Sequence, residues 1–411
     1  MYENLVNQEA SKLLNSDIKK NLMPGSILFS GAEASGKLTA ALETARILSC
    51  HAKPQGKWLC NCPSCNQHKA LTCSNLLLLG PRDCSLEIAA AKETFLKAVK
   101  ENASYLPATR YLFVRSVRKL SLRFSGILFQ GDVNVHKIGA IVEEINDNLE
   151  KIDIPRTLTP FDELTFVCEE LSKLCLELEN DYLYDSIPIA QIRNMEEWAH
   201  IKSEEGKKTV IIENADRMAV SVRNALLKIL EEPPADCVFI LLTGKRNAIM
   251  QTILSRVRTY NFANRNLEQQ KDVINRVFHG EGFTGSINDY LLQYLPVSPE
   301  TIKEQANIFY NSIANRQIPD INSIIKKCGG FSPRIELKLF LNYLALEQRN
   351  LMFSQCGCET SAKCMELLRN CWDNITQYNQ TPLASLEILL RDMSVLNVQN
   401  GGIFNNKCEN T

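Results

Sequence analysis

Ser26-Ile27-Leu28-Phe29-Ser30-Gly31-Ala32-Glu33-Ala34-Ser35-Gly36-Lys37-Leu38-Thr39 is a short apolar strand that runs into a glycine-rich turn and then a helix. Gly31 to Lys37 fits G-x-x-x-x-G-K, and a strand before it and a helix after it are the context a phosphate loop needs. Glycines let backbone N–H groups curl around phosphates, the helix N-terminus faces the anion, and Lys37 neutralises charge. The competing reading is a strand-to-helix turn that holds nothing. The next residue should be Ser or Thr, whose hydroxyl holds Mg²⁺, but it is Leu38. Thr39 comes one residue late, and one helical step rotates a side chain by about 100°. The expected phosphate-binding set is Gly31, Ser35, Gly36, Lys37, Leu38 and Thr39. It can hold ATP or ADP but leaves an incomplete shell for Mg²⁺.

Working outward, strand-like and helix-like segments alternate from Ser26 on, which predicts an α/β layer with a mainly parallel sheet. Leu38–Leu48 reads as a helix. Leu76–Leu79, Lys208–Ile212 and Cys237–Thr243 read as buried strands, and Val222–Leu230 as a helix closed by Pro233-Pro234. Residues 85–186 are helix-prone. Ile88, Ala91, Phe95 and Val99 recur at three-to-four spacing, as do Leu164, Val167, Leu171, Leu174 and Leu178. Beyond 263 the strand signals fade, and Leu267–Val277, 299–314, 333–352 and 384–395 read as amphipathic helices. The tail from Gly401 is polar and expected to fray. The expected layout is an α/β domain over 1–262, with a cysteine module near 50–73 and a helical insertion near 100–185. Helical domains follow over 263–298 and 299–411.

In phosphate-loop ATPases a second apolar strand ends in an acid that helps hold Mg²⁺, often followed by a Glu that activates water. Here that strand ends Ile211-Ile212-Glu213-Asn214-Ala215-Asp216. Glu213 takes the metal-acid position, but Asn214 stands where the base should be, and an amide cannot accept a proton at neutral pH. Asp216 reads as the start of a helix cap. Together with Leu38, this predicts no intrinsic ATP turnover.

Cys50, Cys60, Cys62 and Cys65 fall in one short segment. Four thiolates can close a tetrahedral Zn²⁺ site, and C-x-C and C-x₂-C spacings let one turn supply several ligands. His51, His68 and Cys73 are alternatives for one ligand, and unrelated thiols are the competing reading. Such a site leaves no open position, so the metal's role is structural, and its binding energy is folding energy.

Composition bounds the rest. The 411 residues suggest two to three domains at roughly 150 each. Lys plus Arg number 46 against 47 Asp plus Glu, so the net charge of −1 argues against a surface that grips nucleic acid throughout. With 45% hydrophobic and 23% charged residues the chain is an ordinary globular one. No run approaches the roughly 20 apolar residues that span a bilayer. Met1-Tyr2-Glu3-Asn4 lacks the start of a secretory signal. Fifteen scattered cysteines fit reduced thiols and metal ligands. The expectation is a cytoplasmic protein.

The order of these motifs resembles the delta-prime subunit of the bacterial DNA polymerase III clamp loader and its relative gamma/tau, both of the AAA+ ATPases. The resemblance rests on Gly36-Lys37-Leu38, the four cysteines and Ile189-Ala190-Gln191-Ile192-Arg193. It rests further on Asn224-Ala225-Leu226-Leu227-Lys228-Ile229-Leu230-Glu231-Glu232-Pro233-Pro234 and on Ile253-Leu254-Ser255-Arg256-Val257. It implies a nucleotide-binding domain, a helical lid (263–298) and a helical collar (299–411) joining a ring of subunits. Leu38 is more like delta-prime than gamma/tau. The family's zinc spacing is C-x₂-C-x₂-C, here C-x-C-x₂-C, and its Ser-Arg-Cys is here Ser255-Arg256-Val257.

The resemblance implies that Arg256 reaches a neighbouring subunit's ATP as an arginine finger, worth about 10³–10⁵ in rate. A surface ion pair is the alternative. Thr243 resembles the sensor-1 position, with a plain strand-end Thr as the alternative. The leading expectation is a non-hydrolysing delta-prime-like subunit that braces the ring with gamma/tau and delta and helps load the sliding clamp on primed DNA. The alternatives are an active gamma/tau-type ATPase and a zinc-dependent nucleic-acid module. The last is disfavoured because only Lys53 and Lys57 are basic between Cys50 and Cys65.

Overall fold

The computed structural model describes residues 1–411 apart from 54, 204–205, 333, 352–356, 377, 379, 403 and 405–411, and it divides into two compact units, Met1–Tyr290 and Leu291–Thr411. The first unit runs α1 (Ala10–Lys19), β1 (Ser26–Ser30), α2 (Lys37–Leu48), α3 (Pro63–Ala70), β2 (Leu76–Leu79), α4 (Ser85–Lys100) and α5 (Leu106–Ser121). It continues through α6 (Val135–Ile152), α7 (Phe161–Tyr182), α8 (Ile189–His200), β3 (Lys208–Ile212), α9 (Val220–Glu231), β4 (Cys237–Thr243), α10 (Gln251–Leu254), β5 (Arg258–Asn261) and α11 (Leu267–Phe278). A short α12 (Ile287–Leu292) follows.

Among the described residues the strands form one sheet, order β2-β3-β4-β1-β5, with every pair parallel. Both faces are covered, as a parallel sheet requires. Ile27, Phe29, Leu76, Leu78, Ile211 and Ile240 pack with residues of α1 and α2 on one face. Leu28, Leu77, Leu79, Val210, Ile212 and Phe239 pack with residues of α4, α5, α7 and α9 on the other. The α/β expectation therefore holds, and the strands over 26–30, 76–79, 208–212 and 237–243 fall where the apolar runs place them. β5 has no apolar run: in Arg258-Thr259-Tyr260-Asn261 only Tyr260 is buried. It is an edge strand, paired to β1 alone.

The helical stretch over 85–186 resolves into α4 to α7, with Leu164, Val167, Leu171, Leu174 and Leu178 all buried. Residue 216 corrects one reading. Asp216 lies inside the 3-10 turn Ala215–Arg217 and caps no helix; Asn214, left-handed at φ +50°, occupies that turn's N-cap position.

The second unit contains α13 (Pro299–Ala314), α14 (Ile321–Lys327), α15 (Arg334–Leu351), α16 (Gly357–Thr376) and α17 (Pro382–Gln399). Ser298 and Thr381 cap α13 and α17, each with proline at the first turn, where its missing N–H costs nothing. Phe309 of α13, Phe340 of α15 and Phe331 form the aromatic centre of this unit. The ends of the helix expected over 333–352, and most of the tail expected to fray, lie outside the described residues. Among the described residues no helix is long and apolar enough to cross a membrane.

Candidate phosphate and metal sites

β1 is wholly buried, so its exit at the carboxyl edge of the sheet is fixed, and the loop Gly31–Gly36 starts from there. Gly31 donates its N–H to the Thr243 carbonyl at 3.2 Å, tying the loop to the end of β4. A Cβ on Gly31 would stand 2.5 Å from the Phe262 carbonyl oxygen, so no larger residue fits. Gly36 turns into α2 at φ +90°, a conformation that favours glycine. Ser35 is buried and donates its hydroxyl to the Ala32 carbonyl at 2.8 Å. Lys37, the first residue of α2, curls its ammonium back onto the loop, to the Gly31 carbonyl at 2.6 Å and the Ser35 hydroxyl at 3.3 Å. Burial lowers its pKa to about 8. Leu38 is buried in the core beside α1, and Thr39 is half-buried. Arg265, just beyond β5, lies over this loop. It donates to the carbonyls of Val6, at 2.8 Å, and Ala34. No motif pointed to it.

Glu213 directly follows β3 and is 6% exposed. Its two oxygens are taken up separately: Oε1 accepts from Arg82 Nη1 at 3.0 Å, and Oε2 accepts from Arg123 Nη2. Burial alone would raise its pKa, but the two guanidiniums outweigh that and hold it below the usual carboxylate range. Arg82 also pairs with Glu87 at 2.9 Å, and Glu87 with Lys119. The chain Lys119–Glu87–Arg82–Glu213–Arg123 thus joins the end of β3 to α4 and α5. Asn214 donates to the Pro81 carbonyl at 2.5 Å. Thr243 donates its hydroxyl to Asp216 at 2.7 Å and accepts from the Lys245 backbone N–H at 2.9 Å, which fixes the turn after β4.

The sulfur atoms of Cys50, Cys60, Cys62 and Cys65 lie within 4.8 Å of one another. A tetrahedral ion with Zn–S near 2.3 Å sets its sulfurs about 3.8 Å apart, and Cys50 and Cys60 stand at 3.8 Å. The four can hold a zinc ion, Cys60 among them despite its altered spacing. His68 and Cys73 are not in the cluster; they pair with each other at 3.4 Å. Burial would raise the Cys62 thiol's pKa, but hydrogen bonds from the backbone of His51 and Cys65 and from the neighbouring thiols bring it down to about 6.

Behind the cluster lies Arg46 of α2, 1% exposed. It donates to both oxygens of Glu43 at 2.9 and 2.6 Å and to the carbonyls of Gly56 at 3.0 Å and Lys57 at 3.1 Å. It also donates to Cys65 Sγ at 3.1 Å and lies 5.5 Å from the Trp58 ring centre. Sequence reading missed this residue. A charged residue amid Ala45 and Ile47 on a buried helix was the available signal.

Arg256, after α10, has a side chain 28% exposed. Its guanidinium meets Glu231 at 2.9 Å and the Thr252 carbonyl at 2.8 Å. Glu231 is the first glutamate of the Asn224–Pro234 run, so two motifs of the resemblance come together here.

The family described as "DNA polymerase III, delta subunit" matches residues 6–123 and 158–266, more than half of the chain. The chain belongs to this family. Its relatives include the delta' subunit of DNA polymerase III of Bacillus subtilis (strain 168), 41% identical over 78 residues (19% of this chain, 24% of the relative). The tau subunit of the same organism is 44% identical over 55 residues (13% of this chain, 10% of the relative). A gamma-subunit-related protein of Thermotoga maritima overlaps in structure at a TM-score of 0.28 with 16% identity, covering 56% of this chain and 89% of that one. The curated similarities thus span a quarter or less of those relatives' length. The resemblance to clamp-loader subunits of DNA polymerase III drawn from the motifs therefore holds. The family match takes in the phosphate loop, the four cysteines, Glu213, Thr243 and Arg256. Residues 124–157, which include α6, fall outside the matched stretches.

Proposed function

We propose that this chain is a delta-prime-like subunit of the clamp loader that does not hydrolyse ATP itself. On this reading it braces a ring with gamma/tau and delta subunits and offers Arg256 to the ATP bound by a neighbour while the sliding clamp is loaded on primed DNA. The observation that carries the reading is the state of Glu213. Its carboxylate is committed to Arg82 and Arg123, and Leu38 replaces the metal-binding hydroxyl, so two parts of the hydrolytic machinery are missing. Residues 1–262, 263–298 and 299–411 are taken as the nucleotide-binding-like domain, lid and collar. The cysteine cluster is taken as a structural zinc site, and Gly31–Thr39 as a loop that holds nucleotide.

Arg256 suits a finger because its partner is easily surrendered. Glu231 is 58% exposed, and such surface pairs contribute about 0–1 kcal/mol. A guanidinium's planar fork and permanent charge suit a transferring phosphoryl group. The test is DNA- and clamp-stimulated ATP turnover by the reconstituted loader with this chain or its Arg256→Ala variant. A fall of about two orders of magnitude or more is expected, with the variant's own stability changed by less than about 1 kcal/mol. Unchanged turnover in an intact ring overturns the finger. The similarity to tau favours a second reading, an ATP-hydrolysing subunit of the same machine, and turnover by the isolated chain would support it.

A further inference from the structure

A divalent ion at a phosphate loop needs oxygen ligands: the hydroxyl after the loop lysine and the carboxylate at the end of the second strand. This chain supplies neither. Leu38 offers methyl groups and is buried. Glu213 has both oxygens engaged, one by Arg82 and one by Arg123, whose side chain is 1% exposed. Freeing the carboxylate for a metal would strand a buried guanidinium without its partner, which is strongly disfavoured. The residues therefore do not fit Mg²⁺.

The same network says what takes the ion's place. Lys119, Arg82 and Arg123 face Glu87 and Glu213 and fix them at the end of β3. Lys37, on the loop, lies in the field of Glu213, Glu33, Arg82 and Asp216. We propose that this phosphate loop takes the free, metal-less polyphosphate of a nucleotide, the guanidinium pair on Glu213 standing where a divalent ion would be. The uncomplexed anion then forfeits nothing, because the ion of a Mg²⁺ chelate finds no oxygen ligand here. The inference rests on the reading of Gly31–Thr39 as a phosphate-holding loop.

The test is calorimetric titration of the full chain with ATP and ADP, once in Mg²⁺-free buffer prepared without a chelator, which leaves the cysteine cluster intact, and once in excess Mg²⁺. The expected result is binding without Mg²⁺ as tight as with it or tighter, within about threefold, and lost in Lys37→Ala. Arg82→Ala is the second variant; Arg82 is 32% exposed, so its loss leaves Arg123 on the carboxylate, and thermal unfolding verifies the fold. It should weaken metal-free binding more than binding in Mg²⁺, moving the ratio toward the metal. Binding that weakens about tenfold or more without Mg²⁺ and returns with it overturns the inference while leaving the loop reading intact. An unchanged ratio in Arg82→Ala overturns the guanidinium's role. Absence of binding in both buffers overturns the loop reading and the inference with it.

Discussion

Replacing Arg46 by alanine tests whether the four-cysteine module is held to the α/β core by a single buried cation. Arg46 connects three things: Glu43 on its own helix, the backbone of Gly56 and Lys57, and the sulfur of Cys65. Glu43 is as buried as Arg46, with side chains 1% and 2% exposed, so truncating the arginine leaves a carboxylate without its partner in the core. Breaking a buried pair in this way costs about 3–5 kcal/mol. The buried Gly56 carbonyl and the part-buried Lys57 carbonyl lose a donor as well, the former worth about 1–3 kcal/mol if water cannot reach it. The loss should therefore sit at the upper end of that range. Metal binding should suffer too, because the N–H donated to Cys65 offsets thiolate charge, and removing such outer partners typically lowers metal affinity about 10–100-fold. Urea unfolding of the zinc-loaded protein and competition with a chromophoric chelator give the two readings. The neutral, volume-matched double variant Glu43→Gln/Arg46→Met should recover much of the stability but not the zinc affinity. A single-variant loss below about 1 kcal/mol, or zinc affinity unchanged, would refute the assigned role.

Three further outcomes follow from the same contacts. Glu179 of α7 accepts the backbone N–H groups of Cys84 and Ser85 at 2.8 and 3.1 Å, and burial, with Asp83 nearby, raises its pKa from 4.5 to about 7. The folded state thus keeps a proton that the unfolded chain releases above pH 4.5, and that contribution to stability is lost as pH rises through 7. Glu179→Gln should remove this pH dependence and gain on the order of 2–3 kcal/mol over the wild type at pH 8, with little change at pH 4.5; parallel unfolding curves across that range would contradict it. Stripping the metal with a strong chelator should raise hydrogen exchange over residues 50–73 while the sheet stays protected, and uniform protection would argue against a metal-dependent loop. Gly31→Ala should cost about 1–3 kcal/mol and abolish nucleotide binding, because its Cβ would meet the Phe262 carbonyl at 2.5 Å; wild-type affinity would show that the loop relaxes freely.

Much of the frame was legible because local pattern carries it. The buried strands at 26–30, 76–79, 208–212 and 237–243 are apolar runs, and the helices of 85–186 show their three-to-four spacing. Side-chain periodicity acts within a few residues, so sequence alone determines it. The phosphate-loop spacing, the cysteine cluster and the departures at Leu38 and Asn214 were likewise contiguous text. β5 was not legible, since an edge strand paired on one side needs only Tyr260 inside.

Tertiary structure decided which charges meet. Glu213 is answered by Arg82 and Arg123, 131 and 90 positions away, and the sequence reading at 213 saw only a metal acid with a longer side chain. Asp216 looked like a cap and instead accepts the Thr243 hydroxyl from the neighbouring strand. Arg256 and Glu231 belonged to separate motifs until α9 and α10 brought them together. The physical reason is common to all of these. Backbone propensity and apolar spacing are encoded over one or two turns, whereas a charge buried in a low-dielectric interior must find its partner wherever the sheet order and crossovers deliver one.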